Sequence, residues 1–155
     1  MNASNSSRLA RLESQLRDFL DATLHGVPDE TILEPPVTGK WSALENLAHL
    51  ARYHEMFMER IERIRKEDCP ALTRYSAEND PGWLEWATLP VNEVLAGLRD
   101  LRAQMLELVE KLSEAELSRT AVHSRFGEMT LIEWLEFFLL HEAHHLLAVM
   151  QRARE

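Results

Sequence analysis

A histidine-rich run near the C-terminus contains the residue types and spacing best suited to chemistry: His141-Glu142-Ala143-His144-His145. His141 and His145 are four residues apart, so on a helix both imidazoles leave the same face and can bind one metal ion. The run also matches H-E-x-x-H, the motif of zinc metalloproteases. Two histidines do not complete a site, because zinc sites with an open position usually have three protein ligands plus water.

The residues after the motif disfavour the protease interpretation. A zinc metalloprotease of this class takes its third ligand downstream. Only ten residues come after His145, and the single acid among them is Glu155. A metzincin would need glycine and histidine where Ala148 and Gln151 stand. We therefore expect a metal protein that is not a protease, with its third ligand upstream.

The elements that must position these histidines are helices. Glycine is scarce, with five residues, and leucine, alanine, glutamate and arginine dominate. Apolar residues at helical spacing, with capping boxes at Ser42/Glu45 and Thr130/Glu133, predict four long helices. They cover about 6–24, 42–66, 91–112 and 130–152. We expect one domain over 1–155, an all-α four-helix bundle of the up-down type, with a longer irregular connection (68–90) between the second and third helices.

Composition excludes several functional classes. The net charge of −9 argues against a nucleic-acid partner, because a phosphate backbone is bound by basic surfaces. No apolar run approaches the roughly 20 residues of a membrane span. The segment Met1–Asn5 lacks the basic and apolar parts of a signal peptide. The single cysteine, Cys69, allows no disulfide within the chain. We expect a cytoplasmic protein.

Glu142 falls on the apolar stripe of the last helix, next to a candidate ligand. An inward carboxylate is costly unless it is paired. It is therefore either a catalytic base, or a group supporting the metal, or one half of a buried salt bridge with an arginine such as Arg60. The spacing leaves these alternatives open. His54, in the middle of the second helix's stripe, is expected to be a hydrogen-bonded core residue in preference to a ligand.

Aromatic residues suggest where a pocket lies. Trp134 and Phe138 precede His141 at helical spacing, which favours core positions over a pocket wall. Trp83 and Trp86 lie in the irregular connection and need burial somewhere. They are candidates for a lid, a substrate rim or a dimer contact.

Two segments together resemble the DinB-like family, which includes the YfiT-type proteins and the bacillithiol- and mycothiol-dependent enzymes. The first is Trp41–Leu50, which reads W-S-x-x-E-x-L-A-H-L, and the second runs from Gly127 to Leu131 and on through His141–Leu146. The likeness extends from the first helix to about Met150. It implies an often dimeric four-helix bundle in which three histidines bind a divalent metal at one end.

Carried onto this sequence, the resemblance implies His49, His141 and His145 as the metal ligands. A glutamine common in the family three residues after the last ligand is Ala148 here. Glu45 lies one turn before His49 and could accept its free ring N–H, although its place in the capping box is explanation enough.

A three-histidine site leaves the metal its full charge and an open position. Such a centre lowers the pKa of bound water toward about 7, or polarises a thiol or carbonyl. Zinc, nickel and iron suit histidine about equally. We expect a homodimeric, metal-dependent thiol transferase or hydrolase acting on a small molecule, with Glu142 as the assisting catalytic residue. The alternative is a non-catalytic, stress-associated bundle that binds metal or a ligand, in which Glu142 would be held in a salt bridge.

Overall fold

The computed structural model describes residues 3–155, with side chains from Asn5 onward. Met1 and Asn2, the start of the segment considered for a signal peptide, lie outside the described residues. Four long helices form a bundle, which confirms the expected fold class: α1 (Ala3–Thr23), α3 (Ala43–Lys66), α5 (Val91–Glu110) and α7 (Leu131–Ala153). Short helices are α2 (Asp29–Leu33), α4 (Pro81–Ala87) and α6 (Glu114–Leu117), and a 3-10 turn covers Ala77–Asn79.

The starts of α3 and α7 are explained by the capping boxes read in the sequence. The Ser42 hydroxyl accepts a hydrogen bond from the Glu45 backbone N–H at 3.1 Å, and the Glu45 carboxylate accepts one from the Ser42 N–H at 3.0 Å. Thr130 and Glu133 form the same reciprocal pair, each bond 3.2 Å long. Each box satisfies two backbone donors that a helix start otherwise leaves unpaired, and so fixes where the helices that carry the candidate ligands begin.

The order of side-chain contacts between helices fixes their directions. Helix α1 runs parallel to α7 and antiparallel to α5, and α3 runs antiparallel to α7. The long helices therefore run up, down, down and up, which differs from the alternating up-down order expected from the sequence. Helix α3 packs against both α5 and α7, and so does α1. Helices α1 and α3 therefore lie at diagonally opposite corners of the bundle. The connection 67–90 returns the chain to the end of the bundle where α3 began, and this return is why α5 repeats the direction of α3.

The core consists of two apolar clusters stacked along the bundle. The first is rich in aromatics and includes Phe57, Trp134 and Phe138. The second is built mainly from leucines of α1, α3 and α5, with Leu146 and Val149 of α7. All four long helices contribute to both clusters, so packing in both clusters holds the helices, and with them the candidate ligands, in fixed relative positions.

A small three-stranded sheet at the side of the bundle was not expected from the sequence. Strands β2 (Thr120–His123) and β3 (Gly127–Thr130) form an antiparallel hairpin, and β1 (Ala71–Leu72) pairs in parallel with β2. Strands of two and four residues are too short to show the alternation by which a strand is recognised. Gly127, at φ 77°, supplies the left-handed backbone that lets the hairpin turn close. The sheet holds residues 72–78 and the hairpin turn beside the α3–α7 seam.

Within residues 3–155, no helix combines the length and hydropathy required to cross a membrane.

Candidate metal centre

Three histidines from two helices converge at the α3–α7 seam. One ring nitrogen from each of His49, His141 and His145 lies within 4.8 Å of the others. The Nε2 atoms of His49 and His141 are 3.1 Å apart. These are the residues that the family resemblance implied. They lie partway along the seam, two turns into α3 and near the middle of α7, and not at a helix end.

The antiparallel packing of α3 on α7 explains the convergence. His141 and His145 leave one face of α7 because they are a turn apart. His49 faces His141, and Asn46, one turn earlier on α3, faces His145. The pair that was adjacent in sequence thus meets a third histidine that is 92 residues away from His141.

Asn46 sets the orientation of the His145 ring. The His145 Nδ1–H donates to the Asn46 Oδ1 at 2.8 Å, and the Asn46 side-chain amide donates to the Ser42 carbonyl at 2.9 Å. The second bond fixes which end of the amide faces the imidazole. Because Nδ1 carries the proton, the His145 Nε2 lone pair is left for a metal. Asn46 is not among the site residues expected from the sequence, although its position one turn before His49 places it on the same face.

The protonation states suit metal ligation. Burial lowers the pKa of His49 to about 4. Burial, and then His49 and His144, lower the pKa of His145 to about 3, and burial followed by the neighbouring histidines lowers that of His141 to about 2. All three imidazoles are therefore neutral near pH 7, as metal ligands must be.

The donor set fits a divalent cation. Two neutral imidazoles whose Nε2 atoms are 3.1 Å apart either share one proton or turn two lone pairs toward each other. The Nδ1 atoms of both His49 and His141 are buried and have no hydrogen-bond partner among the described residues. A cation at the centre of the cluster would satisfy all three inward nitrogens at once.

Aromatic rings enclose the cluster. Trp41 packs against the rings of His49 and His145, with centroids 5.3 and 6.1 Å away. Tyr53 stacks on His141 at 4.0 Å. Trp83, from α4, stacks on Trp41 at 5.0 Å and donates its indole N–H to the Glu45 carbonyl at 3.2 Å, so it lies behind Trp41 and does not itself line the cavity. These rings shield the ligand side of the site from water.

Trp86 has a different role from Trp83. Its indole N–H donates to the Glu55 carboxylate at 2.6 Å, and its ring packs on α5 at Gly97. A Cβ at Gly97 would lie 2.5 Å from that ring, so only glycine admits this contact. Trp86 therefore anchors α4 to the bundle.

An open cavity of about 1080 Å³ adjoins the three histidines, all of which line it. Its walls come from α3, α7, the segment 72–78 and the hairpin turn 123–126. Trp134 and Phe137 line it as well, so Trp134 is both a pocket residue and a buried core residue. Phe138, as expected, lies in the core.

Comparison with known proteins agrees with this architecture. The family model of the DinB superfamily matches residues 11–149. This chain belongs to the DinB superfamily.

Two individual relatives and one solved structure share 20% to 27% sequence identity with this chain. YuaE of Bacillus subtilis is 27% identical over 140 residues, covering 79% of this chain and 83% of that protein. "Putative metal-dependent hydrolase OB0413" of Oceanobacillus iheyensis is 23% identical over 132 residues, covering 82% and 73%. The structure of YfiT from Bacillus subtilis, described as "a probable metal-dependent hydrolase with an unusual four-helix bundle topology", superimposes with a TM-score of 0.77 at 20% identity. The superposition covers 99% of this chain and 89% of YfiT, and it supports the fold.

Glu142 is placed differently from the base expected in this DinB-superfamily protein. It is fully buried and does not line the cavity. Its carboxylate forms a salt bridge with the Arg102 guanidinium and accepts a 3.0 Å hydrogen bond from the Gln15 side chain. Of the alternatives left open by the sequence, the structure therefore favours the buried salt bridge, with Arg102 as the partner and not Arg60. The sequence could not identify this partner because Arg102 lies on the apolar stripe of a third helix.

His54 belongs to the same polar network, which lies between the two apolar clusters. Its Nδ1–H donates to the Leu50 carbonyl at 2.7 Å, and its Nε2 accepts from Arg102 Nε at 3.1 Å. Both ring nitrogens are satisfied in the neutral form, which confirms His54 as a core histidine. Glu45 is likewise confirmed as a capping residue, because its carboxylate bonds the Ser42 N–H.

Proposed function

We propose that this protein is a divalent-metal-dependent enzyme of hydrolase type that acts on a small molecule, with His49, His141 and His145 as its metal ligands. The observation that carries the proposal is the convergence of three neutral histidine nitrogens within 4.8 Å of one another beside an open cavity of about 1080 Å³. Catalytic metal sites commonly have three protein ligands, such as three histidines, and leave one coordination position open to water or substrate.

The metal would supply the Lewis acid, and the side chains around it would position the histidine ligands. A divalent ion bound by three neutral imidazoles is a Lewis acid that lowers the pKa of bound water toward about 7 and equally activates a thiol. Asn46 would hold the His145 ring in its ligating tautomer, while Trp41 and Tyr53 hold the rings of the cluster in place and exclude water. Zinc, nickel and iron are all compatible with this donor set.

Water or a low-molecular-weight thiol is the proposed nucleophile. The names of the Oceanobacillus relative and of YfiT, which describe metal-dependent hydrolases, support hydrolysis. Thiol transfer rests on the thiol-dependent members of the resembled family. The homodimer and the cytoplasmic location also stay predictions.

A non-catalytic metal-binding bundle is the second candidate, and the position of Glu142 favours it. Its carboxylate is held by Arg102 and Gln15 and does not line the cavity, so it supplies no base there. If the protein is an enzyme, deprotonation of the bound water or thiol would depend on the metal and not on Glu142.

Metal content and turnover together test these candidates. Protein stripped with a chelator and reloaded separately with zinc, nickel or ferrous iron should bind about one ion per chain. The loaded protein should then hydrolyse model esters or amides, or conjugate N-acetylcysteine to an electrophile such as monobromobimane, faster than the stripped protein. Stoichiometric binding without any metal-dependent turnover would select the binding role, and no binding of any of the three metals would refute both.

A further inference from the structure

The cavity beside the histidines has a charge opposite to that of the whole protein. The chain carries 26 acidic and 17 basic residues. Among residues 5–155, by contrast, the charged side chains that line the cavity are three arginines, Arg60, Arg74 and Arg125, and one carboxylate, Glu78. Like charges gathered in one concavity raise the free energy of the protein unless an ion of opposite charge binds there.

Arg60 is the innermost of these cations. It is half-buried on α3, donates to the Thr73 carbonyl at 2.7 Å and lies 5.6 Å from the centre of the Trp134 ring. Among the residues with described side chains (5–155), no carboxylate lies within salt-bridge distance of it. Burial lowers its pKa, which reflects the cost of desolvating a cation that no anion compensates.

Arg125 and Arg74 lie at the mouth of the cavity. Arg125 belongs to the hairpin turn, where its guanidinium lies 5.7 Å from the centre of the Phe126 ring and its backbone N–H donates to His123 Nδ1 at 3.0 Å. The pKa of His123 is lowered by burial and then by the positive charges of Arg60 and Arg125, so both guanidinium groups lie close enough to His123 to affect it. Arg74 is exposed on the segment after β1.

The arginines are separated from the histidines along one wall. Arg60 comes eleven residues after His49 on α3, a rise of about 16 Å. Helical side chains lean toward the helix N-terminus, and Arg60 lines the same cavity as Tyr53, which stacks on His141. A bound molecule could therefore meet both groups only if it were extended, with its reacting end at the histidines.

We propose that Arg60, with Arg74 and Arg125, binds an oxyanionic group (carboxylate or phosphate) of the substrate while its opposite end reaches the histidine triad. The substrate class is thus an extended, singly or doubly charged anion. Guanidinium groups are the donors best matched to such oxyanions. The part of this proposal that concerns the reacting end rests on the proposed metal function, whereas the anion site does not.

The first experiment tests the anion site without metal. Chelator-treated protein is titrated with glutarate and with inorganic phosphate, and binding is followed by calorimetry and by the NMR shift of the arginine Nε–H groups. We expect at least one of the two anions to bind and to shift Arg60, with affinity falling as salt rises. Arg60→Gln should weaken binding by about tenfold or more, and Arg60→Lys by less. The stronger anion distinguishes a carboxylate from a phosphate substrate.

Arg63→Gln is the matched control, because Arg63 lies one turn further along α3, is exposed, and pairs with Glu67 outside the cavity. Its anion affinity should equal that of the wild type. Arg74→Gln and Arg125→Gln remove exposed cations and should fold normally, so a weakened affinity in these variants supports the site even if Arg60→Gln is unstable. Equal anion affinity in the wild type and in all three cavity variants, or no binding of either anion, would overturn the proposal.

The second experiment tests whether one molecule binds the arginines and the histidine triad at the same time. Zinc-loaded protein is titrated with ω-mercaptoalkanoic acids of increasing chain length and with ω-mercaptoalkanols of the same lengths. One range of lengths should show the acid binding about tenfold or more tightly than the alcohol, and Arg60→Gln should remove that preference while leaving the alcohols unaffected. Acids and alcohols of equal affinity at every length would refute the bridging mode, while the metal-free titration still decides the anion site.

Discussion

His145 donates a 2.8 Å hydrogen bond from Nδ1 to the Oδ1 of Asn46 across the α3–α7 seam. The bond joins the histidine-rich run of α7 to the capped first turns of α3, since the Asn46 amide in turn donates to Ser42. The position at which α3 begins thus controls which imidazole nitrogen faces the candidate metal centre.

Asn46→Ala should weaken metal binding about 10- to 100-fold, the range found when an outer partner of a histidine ligand is lost. The ring of His145 would be free to rotate and to exchange tautomers. Metal affinity is measured by competition with a chromogenic chelator. Asn79→Ala, in the exposed 3-10 turn, is the control and should bind metal as the wild type does. An unchanged affinity for Asn46→Ala would show that the hydrogen bond does not orient the ligand.

His49→Ala and His145→Ala should each weaken metal binding more than Asn46→Ala does, because each removes one of the proposed direct ligands. The same competition assay and elemental analysis report the effect. His25→Ala is the control, since His25 is an exposed histidine that does not line the cavity. Normal binding by His49→Ala would mean that the third ligand lies elsewhere.

Glu142→Gln should destabilise the protein by about 3–5 kcal/mol, since it leaves Arg102 buried without its counter-ion. Denaturant unfolding measures the change, and the double variant Glu142→Gln/Arg102→Met should lose less than the sum of the single variants. The exposed pair Arg63 and Glu67 is the control, and its loss should cost below about 1 kcal/mol. A Glu142→Gln protein of normal stability that lost metal-dependent turnover would instead identify Glu142 as a catalytic base.

His54 should make the fold sensitive to mild acid. Burial, followed by Arg102, lowers its pKa to about 3 from 6.5, so it stays neutral in the fold but is protonated in the unfolded chain below pH 6.5. The unfolded state then binds more protons, and stability falls as the pH drops from 6.5 toward 3. Between pH 7 and pH 5 this one group should remove about 2 kcal/mol from the free energy of unfolding.

Denaturant unfolding of the wild type and of His54→Gln at both pH values isolates this effect. The variant should be less stable at pH 7, because a glutamine amide does not place its donor and acceptor where the two imidazole nitrogens bond the Leu50 carbonyl and Arg102, but it should lose less stability on acidification. Equal losses in the two proteins would mean that His54 is not the residue responsible.

Much of the fold could be predicted because its signals are local. Capping boxes and apolar stripes gave the long helices to within a few residues, since a cap and a stripe depend on neighbours within one or two turns. The hairpin, β1 and the pairing of α3 with both α5 and α7 could not be predicted. Their contacts join residues far apart in the chain, and the strands are too short to carry a pattern.

The candidate site divides in the same way. The sequence alone determined that His141 and His145 share a face, because that depends only on the helical repeat. The tertiary structure decided the rest: that His49 and Asn46 meet them, that Arg102 neutralises Glu142, and that three arginines line one cavity of an acidic protein. These relationships depend on which helix packs against which face. The packing is decided by the total apolar surface that both clusters bury, and a pattern within one or two helical turns carries no information about that total.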